Sequence, residues 1–290
     1  MTAQPQVDVN FINEMLVPRG KKDLDPFRLN RLDKSISVFE KYDPIQGAGA
    51  RIDYFIHINQ LDMAAKHLEM AKRKFGFYEF FASSQVRIAN RTTGWEGVKE
   101  AWNYYFNNLS FKEINPKEAM SFIKDCNWYA GYDLPVFDEI EKVHFSDVQR
   151  LKLEIDGFAN KLFEVNVSLS TYRKVASIIT KTIYENYRIN TKHESHINED
   201  MKIFIVYENW TDEEVLELTA KVNEAILAID DVNFQVEADN IEVLFLNFEV
   251  RKLPSDFSVY EDDDSDLVNI VSKRMNDNNE ELIKIEVADV

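Results

Sequence analysis

The chain has 290 residues, 45% of them hydrophobic and 12% aromatic, which is ample for sizeable buried cores and excludes wholesale disorder. Its formal net charge of −17 is unevenly placed: residues 1–200 carry 27 basic against 28 acidic side chains, and residues 201–290 carry 7 against 23. A near-neutral body joined to a strongly acidic end biases any partner towards basic protein surfaces or cations and disfavours direct binding to a phosphate backbone.

Residues 1–26 mix Pro5, Pro18 and Pro26 with the basic residues Arg19, Lys21 and Lys22, and read as a loosely attached arm with a short helix near residues 9–16. From Phe27 the pattern turns helical, with Leu29, Leu32, Ile36 and Phe39 at spacings of three and four. Asp43-Pro44 and Gly47-Ala-Gly49 punctuate before a helix over 50–58. Three stripes follow: Leu61, Ala64, Leu68 and Ala71; then Phe77, Phe80, Phe81 and Ile88; then Trp95, Val98, Trp102 and Tyr105. Asn115-Pro116 places Asn at an N-cap and Pro at N1 of a helix carrying Ala119, Phe122, Ile123 and Cys126. Pro135 opens a short helix towards Val143. A longer one starts at Ser146 with Leu151, Leu153, Ile155 and Phe158, and another spans 170–187 with Val175, Ile178, Ile179, Ile183 and Tyr187. Residues 27–190 thus read as an all-helical domain.

The stripe Leu61, Ala64, Leu68, Ala71 recurs after 34 residues as Trp95, Val98, Trp102, Tyr105. Thirty-four residues is the tetratricopeptide period, and over residues 47–110 the pattern resembles such helical repeats. It departs from them at Ile52, where a Gly is usual, at Tyr105, where a small residue is usual, and at Pro135. The resemblance implies stacked helix hairpins with a concave face suited to peptides or proteins. The alternative is an irregular bundle of antiparallel hairpins.

Residues 191–200 are polar and read as a linker to an acidic α/β domain over 201–290. The apolar run Ile203 to Tyr207 reads as a buried strand, and Thr211-Asp-Glu-Glu214 has the form of a capping box. The helix it opens carries Val215, Leu216, Leu218, Val222, Ala225 and Ile226. Val232, Phe234 and Val236 alternate, Ala238-Asp-Asn240 marks a turn, and Ile241, Val243 and Phe245 alternate again, which predicts a hairpin. A helix over 266–275 and a strand over 282–287 complete the order β-α-β-β-α-β. The expected fold class is therefore α+β, an N-terminal helical domain followed by a C-terminal ferredoxin-like βαββαβ domain.

Chemistry-bearing motifs are sparse. The single cysteine, Cys126, excludes an internal disulfide and sits in a stripe of core-type residues. His193 and His196 have H-x-x-H spacing beside Glu194, yet fall in the presumed linker, and His57 and His67 lie among apolar helix positions. No nucleophile elbow, phosphate-binding loop or H-E-x-x-H motif occurs, so no catalytic residue, metal ligand or cofactor is assigned. Residues 1–6 lack the basic-then-apolar order of a secretory signal and no run reaches about 18 apolar residues, so a cytoplasmic chain without a membrane partner is expected.

These features lead to a non-enzymatic protein–protein interaction or regulatory protein whose acidic domain binds a basic partner. The candidate contact residues are Asp212, Glu213, Glu214, Glu261, Asp262, Asp263, Asp264 and Asp266. The alternatives are a nucleic-acid-mimicking inhibitor, a metal-dependent hydrolase or nuclease, and a structural assembly component.

Overall fold

Helix boundaries in the N-terminal half are set by local chemistry. Asp25 caps α2 (Pro26–Tyr42) by accepting from the Phe27 N–H at 2.9 Å. Asp43 caps α3 (Pro44–His57) through the Ile45 and Gln46 N–H groups at 3.2 and 3.0 Å, with Pro44 at the first helical position. Before them lies α1 (Val9–Leu16), and after them α4 (Leu61–Phe75), α5 (Glu79–Thr92) and α6 (Trp95–Asn107). The structure, a computed structural model, describes residues 8–16, 22–108, 116–131, 145–187, 192–197, 202–208 and 210–247.

Helix α1 packs on α2: Phe11, Ile12 and Met15 are buried with Leu32 and Ile36. The glycines expected to precede the next helix lie inside α3 instead. An added Cβ on Gly47 would meet the Glu40 backbone at 2.5 Å, and one on Gly49 would meet the Phe80 ring at 2.8 Å. They are sites of close helix approach, where only a missing side chain lets α3 pack on α2 and α5. Arg51, largely buried, then bridges α3 to α2 through Asp33, Glu40 and Ser37.

Among the described residues the next helices are α7 (Pro116–Trp128), α8 (Phe145–Glu164) and α9 (Leu169–Asn186). The largest core gathers Trp102, Tyr105, Phe106 and Phe122 in mutual ring contact and runs through α9, which buries Tyr172, Val175, Ala176, Ile179 and Ile183. Each of the larger aliphatic and aromatic side chains contributes about 1.5–3 kcal/mol by leaving water. The C-terminal end of α7 is tied to α9 by polar contacts. Tyr172 donates to the Trp128 carbonyl at 2.7 Å, and Arg173 donates to the Tyr129 and Ala130 carbonyls at 3.0 Å each.

Beyond α9 come β1 (Lys192–Ile197), β2 (Lys202–Glu208), α10 (Asp212–Leu227), α11 (Val232–Ala238) and β3 (Ile241–Asn247). The sheet order is β1-β2-β3, antiparallel between β1 and β2 (His193 opposite Val206) and parallel between β2 and β3 (Phe204 opposite Val243). This corrects the expected ferredoxin-like βαββαβ domain, because the described order is β-β-α-α-β and β2 reaches β3 through two helices. Two local misreadings account for the difference. The segment expected as a linker, residues 191–200, contributes β1. The segment expected as the first hairpin strand is α11, where Asp231 caps the helix by accepting from the Phe234 N–H at 3.1 Å. The alternation of Val232, Phe234 and Val236 fits a helix equally well: Phe234 and Ala238 are buried on one face, while Val232 and Val236, also four apart, are exposed on the other. The helix expected over 266–275 and the strand over 282–287 lie outside the described residues, as does the helix after Pro135.

Candidate interaction surface

Helices α10 and α11 are fastened to the helical body by their inner faces. Leu218 and Val222 of α10 and Phe234 and Ala238 of α11 join the same core as Val175, Ile179 and Ile183 of α9. Trp210, just before α10, packs edge-on against Tyr187 at 5.1 Å and Phe245 at 6.1 Å between ring centroids. The capping box expected at Thr211 is formed: the Thr211 hydroxyl accepts from the Glu214 N–H at 3.2 Å, and Glu214 accepts from the Thr211 N–H at 3.0 Å. Gln235 of α11 donates to the Ile226 and Ile229 carbonyls at 2.8 and 2.9 Å, holding the end of α10.

Part of the acid is spent on this fastening. Glu237 accepts from the Ser168 N–H at 2.8 Å at the start of α9, and hydrogen bonds from Ser168 and Thr171 hold its carboxyl below the usual range. Asp231 faces Lys174 at 3.9 Å, and Glu217 pairs with Lys221 at 2.6 Å. Burial, followed by the charge of Glu214, pushes the Tyr187 phenol above its ordinary value, so it stays neutral under the acidic helix.

What remains faces outward. Residues 212–239 hold nine carboxylates and one lysine. Five of the nine, Asp212, Glu213, Glu224, Asp230 and Asp239, are exposed and have no ion pair among the described residues. Beside them four aliphatic side chains stand in solvent: Leu216 at 63%, Leu227 at 73%, Val232 at 76% and Val236 at 63% of full exposure. On α10, Leu216, Ala220, Asn223 and Leu227 follow one another at spacings of four, three and four, an apolar-centred seam bordered by Glu213, Glu217 and Glu224.

Of the candidate contact residues, Asp212 and Glu213 lie on this surface, while Glu214 is engaged in the cap. Glu261, Asp262, Asp263, Asp264 and Asp266 lie outside the described residues. Sequence reasoning placed Leu216 among the apolar positions of its helix, read Val232 and Val236 as part of a hairpin strand, and did not single out Leu227. The detectable signal was periodicity: Leu216 and Leu227 lie 11 residues apart, three turns of helix, on the face away from Leu218 and Val222.

The remaining polar candidates are accounted for by packing. Cys126 is buried among Trp102 and Phe122, and its neighbour Asp125 accepts from the Trp102 indole at 2.8 Å. His57 is buried with Nε2 at 3.1 Å from the Asp23 carbonyl, and the His67 ring lies 4.8 Å from Phe55. His193 and His196, with their H-x-x-H spacing, both fall on strand β1 and not in a linker. Among the described residues no group of three or more His, Cys, Asp or Glu side chains could hold a metal ion, and no helix is long and apolar enough to cross a membrane.

No family model, no curated protein and no solved structure matches the chain. The tetratricopeptide resemblance therefore has no support beyond the residues that suggested it.

Proposed function

We propose that this chain is a non-enzymatic protein-binding protein in which the outer faces of α10 and α11 dock a partner bearing a basic surface. The observation that supports this reading is the coincidence, on one two-helix unit, of unpaired carboxylates with exposed leucine and valine side chains. Solvated charge alone serves solubility and needs no aliphatic neighbours. An interface needs both: charges around the rim steer association, and aliphatic side chains at the centre supply affinity by leaving water. The supporting core is shared with α9, so the surface is presented on a rigid base.

A synthetic amphipathic helix of leucine and lysine, labelled for fluorescence anisotropy, is a suitable probe. Affinity is expected to fall steeply as ionic strength rises from about 0.05 to about 0.5 M, because the screening length shrinks below the separation of rim charges. Leu216→Ala combined with Leu227→Ala leaves the charge unchanged, and at about 1–2 kcal/mol per leucine it should weaken binding at least tenfold. If the double variant binds the peptide like the original chain, only diffuse charge attraction is at work and the proposal fails.

A further inference from the structure

Another part of the fold carries a surface of the opposite sign. On α4 the core-facing positions are Ala64, Leu68 and Ala71. On the outward side Met63 and Met70, seven residues apart, are 38% and 47% exposed, and the exposed cations Lys66, Arg73 and Lys74 fall on the same arc. At 100° per residue these five positions occupy about 100° of the helix circumference, on the side away from the core. Asp62 lies at the edge of this arc, and so does Glu69, which is paired with Lys72 at 3.0 Å.

The two seams match in length, shape and sign. Met63 to Lys74 and Leu216 to Leu227 each span 11 residues, about 16 Å of helix. The first sets flexible methionines between cations; the second sets leucines between carboxylates. Methionine suits an adaptable helix contact because its unbranched thioether side chain conforms to the opposing surface. Helix α4 packs on α3 and α5, whereas α10 packs on α9 and β3, so the two seams lie on different parts of the molecule.

We propose that the occupant of the α10 face is the α4 face of a second copy of this chain. This rests on the reading of α10 as a docking face and names its partner. Because the two surfaces differ, the contact is head-to-tail. Each bound copy still offers one free seam, so the assembly either closes into a ring or extends. A single helix pair buries less than the ~1,200 Å² of a standard interface, which places the contact in the weak, concentration-dependent class. The net charge of −17 opposes association at long range. Assembly is therefore strongest near physiological ionic strength, where the screening length of about 8 Å removes that repulsion but leaves close pairs effective.

The experiment is sedimentation velocity on the full chain at about 0.15 M and about 0.5 M salt, from about 10 µM to about 1 mM, with two charge-swapped variants. One carries Lys66→Glu and Arg73→Glu, the other Glu213→Lys and Glu224→Lys; all four positions are exposed. The original chain should rise in weight-average mass at least about 1.5-fold above its 33.9 kDa at the lower salt and lose that rise at the higher. Each variant alone should stay at single-chain mass, since its two seams now carry like charges. An equimolar mixture should regain the original assembly, because every α4–α10 pairing between unlike copies is again of opposite sign. An original chain that remains monomeric throughout, or a mixture that fails to associate, overturns the proposal. The leucine–lysine peptide separates the two readings: if the peptide binds through Leu216 and Leu227 while the chain stays monomeric, α10 remains a docking face for another protein.

Discussion

Replacing Gly47 by alanine tests whether the contact between α2 and α3 is as close as the structure places it. In a free helix this change stabilises by about 1 kcal/mol, since alanine is the better helix former. Here the new methyl group would lie 2.5 Å from Glu40 Cα and 2.6 Å from Glu40 N. Ordinary carbon–carbon contact is about 3.5–4.0 Å, so the two helices must part by roughly 1 Å. Overpacking of this kind costs about 1–3 kcal/mol. The parting also loosens the pair between Arg51 and Glu40, whose two hydrogen bonds are 3.2 and 3.0 Å. Together these outweigh the propensity gain and leave a net loss of about 2 kcal/mol, or a fall of about 4–8 °C in Tm for a domain of this size. Gly157, in the exposed part of α8, is the control: a Cβ there meets nothing within 4 Å. Gly157→Ala should therefore raise Tm by about 2–4 °C. Thermal unfolding followed by circular dichroism on the two variants side by side reads both signs. A Gly47→Ala protein at least as stable as the original would show that α2 and α3 do not approach as described.

Two further outcomes concern the acidic unit. Thr211→Ala removes the hydroxyl half of the capping box at the start of α10 and should cost about 1 kcal/mol, with Thr211→Ser restoring most of it in chemical denaturation. Glu237 has a folded-state pKa lowered by its bonds to Ser168 and Thr171. Its contribution is present above the unfolded carboxylate pKa and is lost as pH falls through the lowered folded value. The stability–pH curve of Glu237→Gln should accordingly be flatter than that of the original chain on the acid side of about pH 4, and parallel curves would show that the Ser168 contact contributes nothing.

The parts of this fold that could be read from sequence are those decided within one or two turns of chain. Thr211 and Glu214 form a capping box because the two partners lie only three residues apart, and Asp43-Pro44 starts a helix for the same local reason. Leu68, Trp102 and Val175 fall on stripes whose helical period has no competing reading, and all are buried. Where two periods fit, sequence alone could not choose. Val232, Phe234 and Val236 satisfy a strand and a helix alike, and the choice rests on the Asp231 cap and on Gln235 reaching back to Ile226 and Ile229. Gly47 and Gly49 carry the mark of a turn, yet the cause of their presence is the backbone of Glu40 and the ring of Phe80, neither adjacent in sequence. Strand β1 has the polar sequence KHESHI, and what makes it a strand is backbone pairing with β2, which leaves no periodic trace.

The placement of the acid follows from the same physics. Nine carboxylates on 28 residues repel one another, and a short helix pair with that charge has too little apolar surface to be stable alone. Helices α10 and α11 escape this by sharing a core with α9: Leu218, Val222, Phe234 and Ala238 are buried in the same cluster as Val175, Ile179 and Ile183. Four carboxylates are then engaged locally, two by Lys221 and Lys174 and two by hydrogen bonds at the Thr211 cap and the start of α9. Of the five left over, Asp212 and Glu213 sit in the first turn of α10, where negative charge suits the helix N-terminus, while Glu224, Asp230 and Asp239 make no ion pair among the described residues and Leu216 and Leu227 stand in solvent. A surface that costs stability through like-charge repulsion and exposes leucine to water is retained more readily when something covers it. The cationic methionine seam of α4 has the geometry and sign to do so.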